Sequence, residues 1–192
     1  MDAEPRPSNT CERRPEVITP THLLSMAIAA TALLSLLCAC RPAPPDPDAL
    51  VGVSITGINY TDEGVQDFFV DGAWGANLPT YGGGGKTSCC VMLPRTWRPG
   101  LTVKVKWTIG HYTRPWSYRK HLSIEEEGRC CWTQRSLEKT VPVQKYDRLE
   151  DIQIFFLPDD QIEAWVHHSL PVDPAHPSGR PYPRDPRPPE EE

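Results

Sequence analysis

A small all-β domain, an antiparallel β-sandwich or open barrel with disordered Pro-rich ends, is the fold this sequence predicts. Three observations carry that expectation. Apolar residues recur with period two in several short segments, the way a strand offers one face to a core. Asp-Gly, Pro-Asp-Asp and Gly-rich breaks separate those segments, and these are the residues tight turns require. No stretch after residue 49 keeps a helical apolar period beyond a turn or two.

The first element lies outside the domain. Residues 23 to 37 are almost wholly apolar, with Arg13 and Arg14 upstream, which is the layout of a secretory signal. A spanning helix needs about 20 apolar residues, and this run is shorter and ends at Arg41 and prolines. Its last four residues, Leu37-Cys38-Ala39-Cys40, resemble the bacterial lipobox, where a peptidase cuts before the Cys and the thiol takes diacylglycerol. Cys38 fits less well, because Leu37 stands where a small residue is required. Starting at Met26 would leave no positive charge ahead of the run. Residues 1–39 are therefore expected to be removed and Cys40 to be lipidated. Arg41, rather than Asp, resembles signals sorted to the outer membrane, with the domain facing the periplasm.

Residues 40–49 contain RPAPPDPD, a stiff Pro-rich tether. Residues 50–170 are long enough for one ordinary domain. Residues 171–192 are Pro-rich, charged and nearly free of apolar anchors, so a disordered tail is expected. The net charge of −5 argues against a nucleic-acid footprint.

Within the domain, Val51 to Ile58 alternates, and Leu101, Val103, Val105, Trp107 and Ile109 share one face of a second strand. Asp71-Gly72 makes a tight turn between Phe68-Phe69-Val70 and Ala73-Trp74. Residues 151–157 and 161–166 form a hairpin across Pro158-Asp159-Asp160. Gly82 to Gly85, followed by Lys86-Thr87, looks like part of a phosphate loop. The full pattern needs a further Gly where Thr80 stands, and no helix follows to receive a phosphate. It reads as a bulged loop.

Cys89-Cys90 and Cys130-Cys131 remain after lipidation, an even set that predicts two disulfides in an exported protein. Adjacent residues of a strand face opposite ways, so Cys89 with Cys131 and Cys90 with Cys130 is one pairing. The other cross-pairing and two vicinal bridges stay open. A zinc site is disfavoured, since paired zinc cysteines are usually two or more residues apart.

Nothing in the sequence assembles a catalytic set, and no metal or cofactor is expected. His167-His168 sits at a strand end, where adjacent side chains should diverge. His111 and His121 have no carboxylate or thiol at ligand spacing, and the serines lack a nucleophile-elbow context. Glu125-Glu126-Glu127 reads as a solvated loop able to steer a basic partner. Of six tryptophans, Trp107 belongs to a core face, while Trp74, Trp97, Trp116 and Trp132 lie in or beside loops. Trp with Arg is the composition of binding hot spots, which selects Trp74, Trp97, Arg98, Arg114 and Trp116 as candidate partner contacts.

Residues 57 to 166 resemble one family closely. The matching segments are Gly57-Ile-Asn-Tyr-Thr-Asp62, Val70-Asp-Gly-Ala-Trp-Gly75, the Gly tract with Cys89-Cys-Val-Met-Leu-Pro94, Trp97-Arg-Pro-Gly-Leu101, Val103-Lys-Val-Lys-Trp107, Val141-Pro-Val-Gln-Lys-Tyr146 and Phe156-Leu-Pro-Asp-Asp160. They are similar to domain-of-unknown-function family 3304 of Gram-negative lipoproteins. Cys130-Cys131 is not assigned to the family pattern. The resemblance implies an immunity protein, not an enzyme: a lipid-anchored periplasmic inhibitor of a type VI secretion phospholipase effector. The alternatives are a structural or partner-docking envelope lipoprotein that uses its Pro-rich tail, and a periplasmic hydrolase.

Overall fold

The computed structural model describes residues 44–187. The signal at 1–39, the lipidation site Cys40 and residues 188–192 fall outside them. Among the described residues, nine strands and two short helices follow in order: β1 (Leu50–Asn59), β2 (Gly64–Val70), β3 (Ala73–Trp74), β4 (Gly82–Gly83), β5 (Ser88–Pro94), β6 (Thr102–Tyr112), α1 (Trp116–Arg119), α2 (Ile124–Cys130), β7 (Trp132–Pro142), β8 (Ile152–Leu157) and β9 (Gln161–Val166). They build two sheets. One is five-stranded, in the order β4-β1-β8-β9 with β5 also paired to β1, and the other is four-stranded, β3-β2-β6-β7. The result is a sandwich rather than a closed barrel.

The sheets are mainly antiparallel, as the turn chemistry requires. Asp71 and Gly72 take φ of 49° and 87° between β2 and β3, and Asp159 and Asp160 take 59° and 57° between β8 and β9. Both are left-handed two-residue turns that match strand twist. One pairing escapes this pattern: β1 and β8 run parallel, Ile55 opposite Ile152. A parallel pair needs a long crossover, and here the crossover is the whole second sheet.

The core lies between the sheets. Val53 and Ile55 of β1, Phe68 of β2, Val103, Val105, Trp107 and Ile109 of β6, and Ile152, Ile154 and Phe156 of β8 all point into it. Phe156 meets Phe68 and Trp107 edge-on, at centroid distances of 5.2 and 6.0 Å. These tilted contacts are the favoured aromatic geometry. The Gly tract serves close approach. Gly83 (φ 133°) lies against the β1 backbone, and Gly84 donates its N–H to the Gly57 carbonyl at 2.8 Å. A Cβ at Gly83 would strike that carbonyl.

β8 is buried on both faces, which no solvent-facing strand is. Its outward residues Phe155 and Leu157 join Ile58 in a second apolar cluster with Tyr60, Trp165 and Leu170 beside it. The cover is the C-terminal segment, and this corrects the expectation of a disordered tail for residues 171–187. Pro171, His176 and Pro183 are buried. His176 stacks on Phe155 (5.5 Å) and meets Trp165 edge-on (5.9 Å). Arg180 pairs with Glu163 at 2.6 Å, and the Tyr182 hydroxyl donates to the Gly83 carbonyl at 2.8 Å. The segment holds by ring stacking, an ion pair and proline surface instead of aliphatic anchors. Few aliphatic residues were needed because the sheet supplies the apolar partner.

The end of the tether is also fixed. Arg95 and Thr96 donate backbone N–H groups to the carbonyls of Ala49 and Pro47. The chain thus enters the domain beside the turn that precedes β6.

Candidate partner-binding surface

Between β6 and β7 the chain leaves the sandwich for about twenty residues. Both helices sit there, and neither buries a single residue. What fixes this insertion is polar and aromatic. Ser123 and Glu126 form a reciprocal capping box that starts α2. The hydrogen bonds from Ser123 hold the Glu126 carboxyl below the usual range. Arg119 of α1 pairs with Glu127 of α2, both side chains largely covered, and its Nε donates to the Arg114 carbonyl at 2.8 Å. The Arg119 guanidinium lies 3.6 Å from the Tyr112 ring centre and 5.5 Å from that of Trp116. Tyr112 in turn meets Trp132 edge-on at 4.9 Å. Cross-strand register places Tyr112 opposite Trp132, so the column Trp116–Arg119–Tyr112–Trp132 stands on the end of the β6–β7 ladder.

The base is equally tied. Cys130 and Cys131 are bridged to each other where α2 passes into β7, and Cys131 is 1% exposed. The Cys131 carbonyl accepts from both the N–H (2.7 Å) and the hydroxyl (3.1 Å) of Thr113. Trp132 lies across Gly110, where any Cβ would collide with its indole. An insertion without a core of its own is thereby locked at both ends.

On this frame the apolar groups face outward. Ile124 is 90% exposed, Tyr118 54% and Trp116 46%. Exposed Trp and Tyr held in fixed positions lose little entropy on binding, which is what binding hot spots exploit.

The candidate contacts do not form one surface. Arg114 and Trp116 lie together on the insertion. Trp97 serves the fold: its ring packs on the main core and Nε1 donates to the Val143 carbonyl at 2.9 Å. Arg98, beside it, is exposed and pairs with Asp48 of the tether at 3.4 Å. Trp74 lies exposed on β3, its carbonyl accepting from Ser88 of β5 at the sandwich edge. Tyr112, Tyr118, Arg119 and Ile124 were missed. The S-I-E-E string at 123–126 is a capping signal that marks the helix start, but the aromatic column depends on a register that no local pattern shows.

Further readings change. Each cysteine pair is bridged within itself, not across: Cys89-Cys90 lies in β5, which pairs with β1, while Cys130-Cys131 ends α2, ahead of β7, which pairs with β6. The three glutamates are not a free acidic patch: Glu125 pairs with Arg129, Glu126 caps, and Glu127 holds Arg119. The rings of His167 and His168 lie side by side at 4.6 Å, because they follow the end of β9 and strand alternation no longer applies. His111 does have a carboxylate, Glu63, at 2.8 Å. His167 and His176 each contact the serine two residues on, which is turn geometry rather than nucleophile activation.

A second polar cluster closes the end of the sandwich. Arg135 of β7 makes two 2.8 Å bonds to Asp160 and one of 3.0 Å to Glu63. The bonds from Arg135 hold the Asp160 carboxyl low. This network ties the β8–β9 turn to the other sheet, with the Arg135 guanidinium taken up by Asp160 and Glu63.

Residues 58–164 match the family described as protein of unknown function (DUF3304), which is more than half of the chain. The chain belongs to this family. Neither the curated proteins nor the solved structures give a match.

Proposed function

We propose that this family member is a lipid-anchored immunity protein. Acylated at Cys40, it sits on the periplasmic face of the outer membrane and binds and inhibits a phospholipase effector delivered by type VI secretion. The observation that carries the reading is the locked insertion with exposed Trp116, Tyr118 and Ile124, on a domain whose other large aromatics are mostly spent on packing. A rigid aromatic platform is built to bind, not to react. The resemblance of the matched segments to immunity lipoproteins supplies the partner class.

The geometry of attachment supports the same reading. The tether meets the domain next to Arg98, just before β6, and β6 runs 11 residues to Tyr112. At about 3.3 Å per residue the insertion lies roughly 35 Å from the tether along the strand. The insertion thus lies at the end of the strand away from the tether, and the anchor raises the domain's concentration where a lipase acts. Inhibition is by occlusion. A nanomolar complex needs about 12 kcal/mol, which a few buried aromatic and Arg anchors in a standard interface supply.

The test is to mix the mature chain with the phospholipase encoded beside it and to measure complex formation and lipid hydrolysis together. Stoichiometric loss of hydrolysis is expected. Undiminished hydrolysis with no complex at micromolar concentrations refutes the reading.

A further inference from the structure

A cleft of about 470 Å³ runs along the base of the insertion, between it and the Leu78–Thr80 loop. His111, Arg114, Arg119 and Arg187 line it, against a single carboxylate, Asp62. Above it, Glu125 and Glu127 of α2 are paired with Arg129 and Arg119, and Glu126 is held in its cap by Ser123. Arg114 and Lys120 are exposed and, among the described residues, have no carboxylate partner; the nearest aromatic contact of Arg114 is the Tyr118 ring at 5.7 Å. Arg114 and Lys120 are thus cations left without an ion pair, set against Asp62 in the cleft and Glu126, whose cap leaves its charge in place. The same patch carries Trp116 and Tyr118.

We propose that this face takes an acidic loop of the partner protein. An apolar side chain of that loop lies on Trp116 and Tyr118, and its carboxylates meet Arg114 at the cleft and Lys120 at the end of α1. The inference rests on the inhibitor reading and names the chemistry of its partner. Unpaired cations beside exposed aromatics also suit an anionic lipid surface. The position of the insertion at the far end of β6 from the tether favours the protein. A rim charge acts mainly on association rate and its salt dependence, and a central aromatic on dissociation.

The test uses the purified mature chain and the phospholipase encoded beside it, followed by stopped-flow association and by hydrolysis. Arg114→Glu with Lys120→Glu should slow association about tenfold at low salt, with the gap narrowing as salt rises. Arg95→Glu with Lys145→Glu, an equal charge change at exposed sites elsewhere, should leave the rate unchanged. Trp116→Ala should speed dissociation at least tenfold. Circular dichroism checks folding, and Arg114→Gln with Lys120→Gln provides a milder pair expected to fall between. If wild type inhibits and every insertion variant associates like it, the inference falls while the inhibitor reading stands. If wild type forms no complex, both fall. Sedimentation with vesicles of phosphatidylethanolamine and phosphatidylglycerol, lost in the charge-reversed variant, would replace the acidic loop with lipid.

Discussion

Acid should loosen the C-terminal cover through one side chain, His176. Its ring is 3% exposed, lies among Phe155, Trp165 and His167, and leaves Nε2 buried without a partner. Burial first, and the neighbouring His167 second, push its pKa down to about 4 from an ordinary 6.5, against a small opposing pull from Asp173. His168 stands beside His167, Arg180 and Glu163 pair across the segment, and Ser178 contacts Nδ1. A histidine with a lowered folded pKa is protonated first in the unfolded chain. Its contribution is complete above pH 6.5, falls as pH drops toward 4, and changes no further below that. At about 1.4 kcal/mol per unit, the loss is on the order of 3 kcal/mol. His176→Phe keeps the aromatic contact and removes the titration. The assay is urea unfolding of both chains, disulfides intact, at intervals from pH 7.5 to 4. Carboxylates that titrate in both chains cancel in the difference. Stability of wild type relative to the variant should fall by about 3 kcal/mol across that window. A difference flat to within about 0.5 kcal/mol would show that the imidazole is not confined as described.

Three more outcomes follow from the packing. Phe155→Ala removes the centre of the second cluster and should cost about 3–5 kcal/mol in chemical denaturation, whereas a disordered tail would make the site half-exposed and the loss near 1. Trp97→Ala should destabilise by about 2–3 kcal/mol through lost packing and the Val143 bond, while Trp116→Ala should stay within about 0.5 in the same assay; equal losses would contradict the division of roles. Ser123→Ala breaks both halves of the capping box and should cost about 1 kcal/mol locally, read as roughly fivefold faster amide exchange in α2 with an unchanged global midpoint.

The sandwich was legible where each residue's fate depended on its own strand. Residues 101–109 alternate, and Val103, Val105, Trp107 and Ile109 are buried as that alternation demands, with Leu101 packed alongside. Both Asp turns were legible because positive φ narrows the choice of residue. What stayed hidden needed a second segment. Ile152 to Leu157 reads as a near-continuous apolar run, and such a run belongs to a strand covered on both sides. The signal for a cover was therefore present in β8, yet nothing in residues 171–187 marks them as that cover. Ile58 carries the same message: it sits one residue out of step with Val53 and Ile55, so it faces the far side of the sheet, where it too needs a partner. The charge of the insertion was misread for a related reason. Three consecutive glutamates look like an exposed acidic patch until helix geometry sends Glu127 to Arg119, Glu125 to Arg129 and Glu126 back to its own cap. Which charges remain free depends on which are paired, and pairing across a turn is a property of the folded insertion rather than of the string that encodes it.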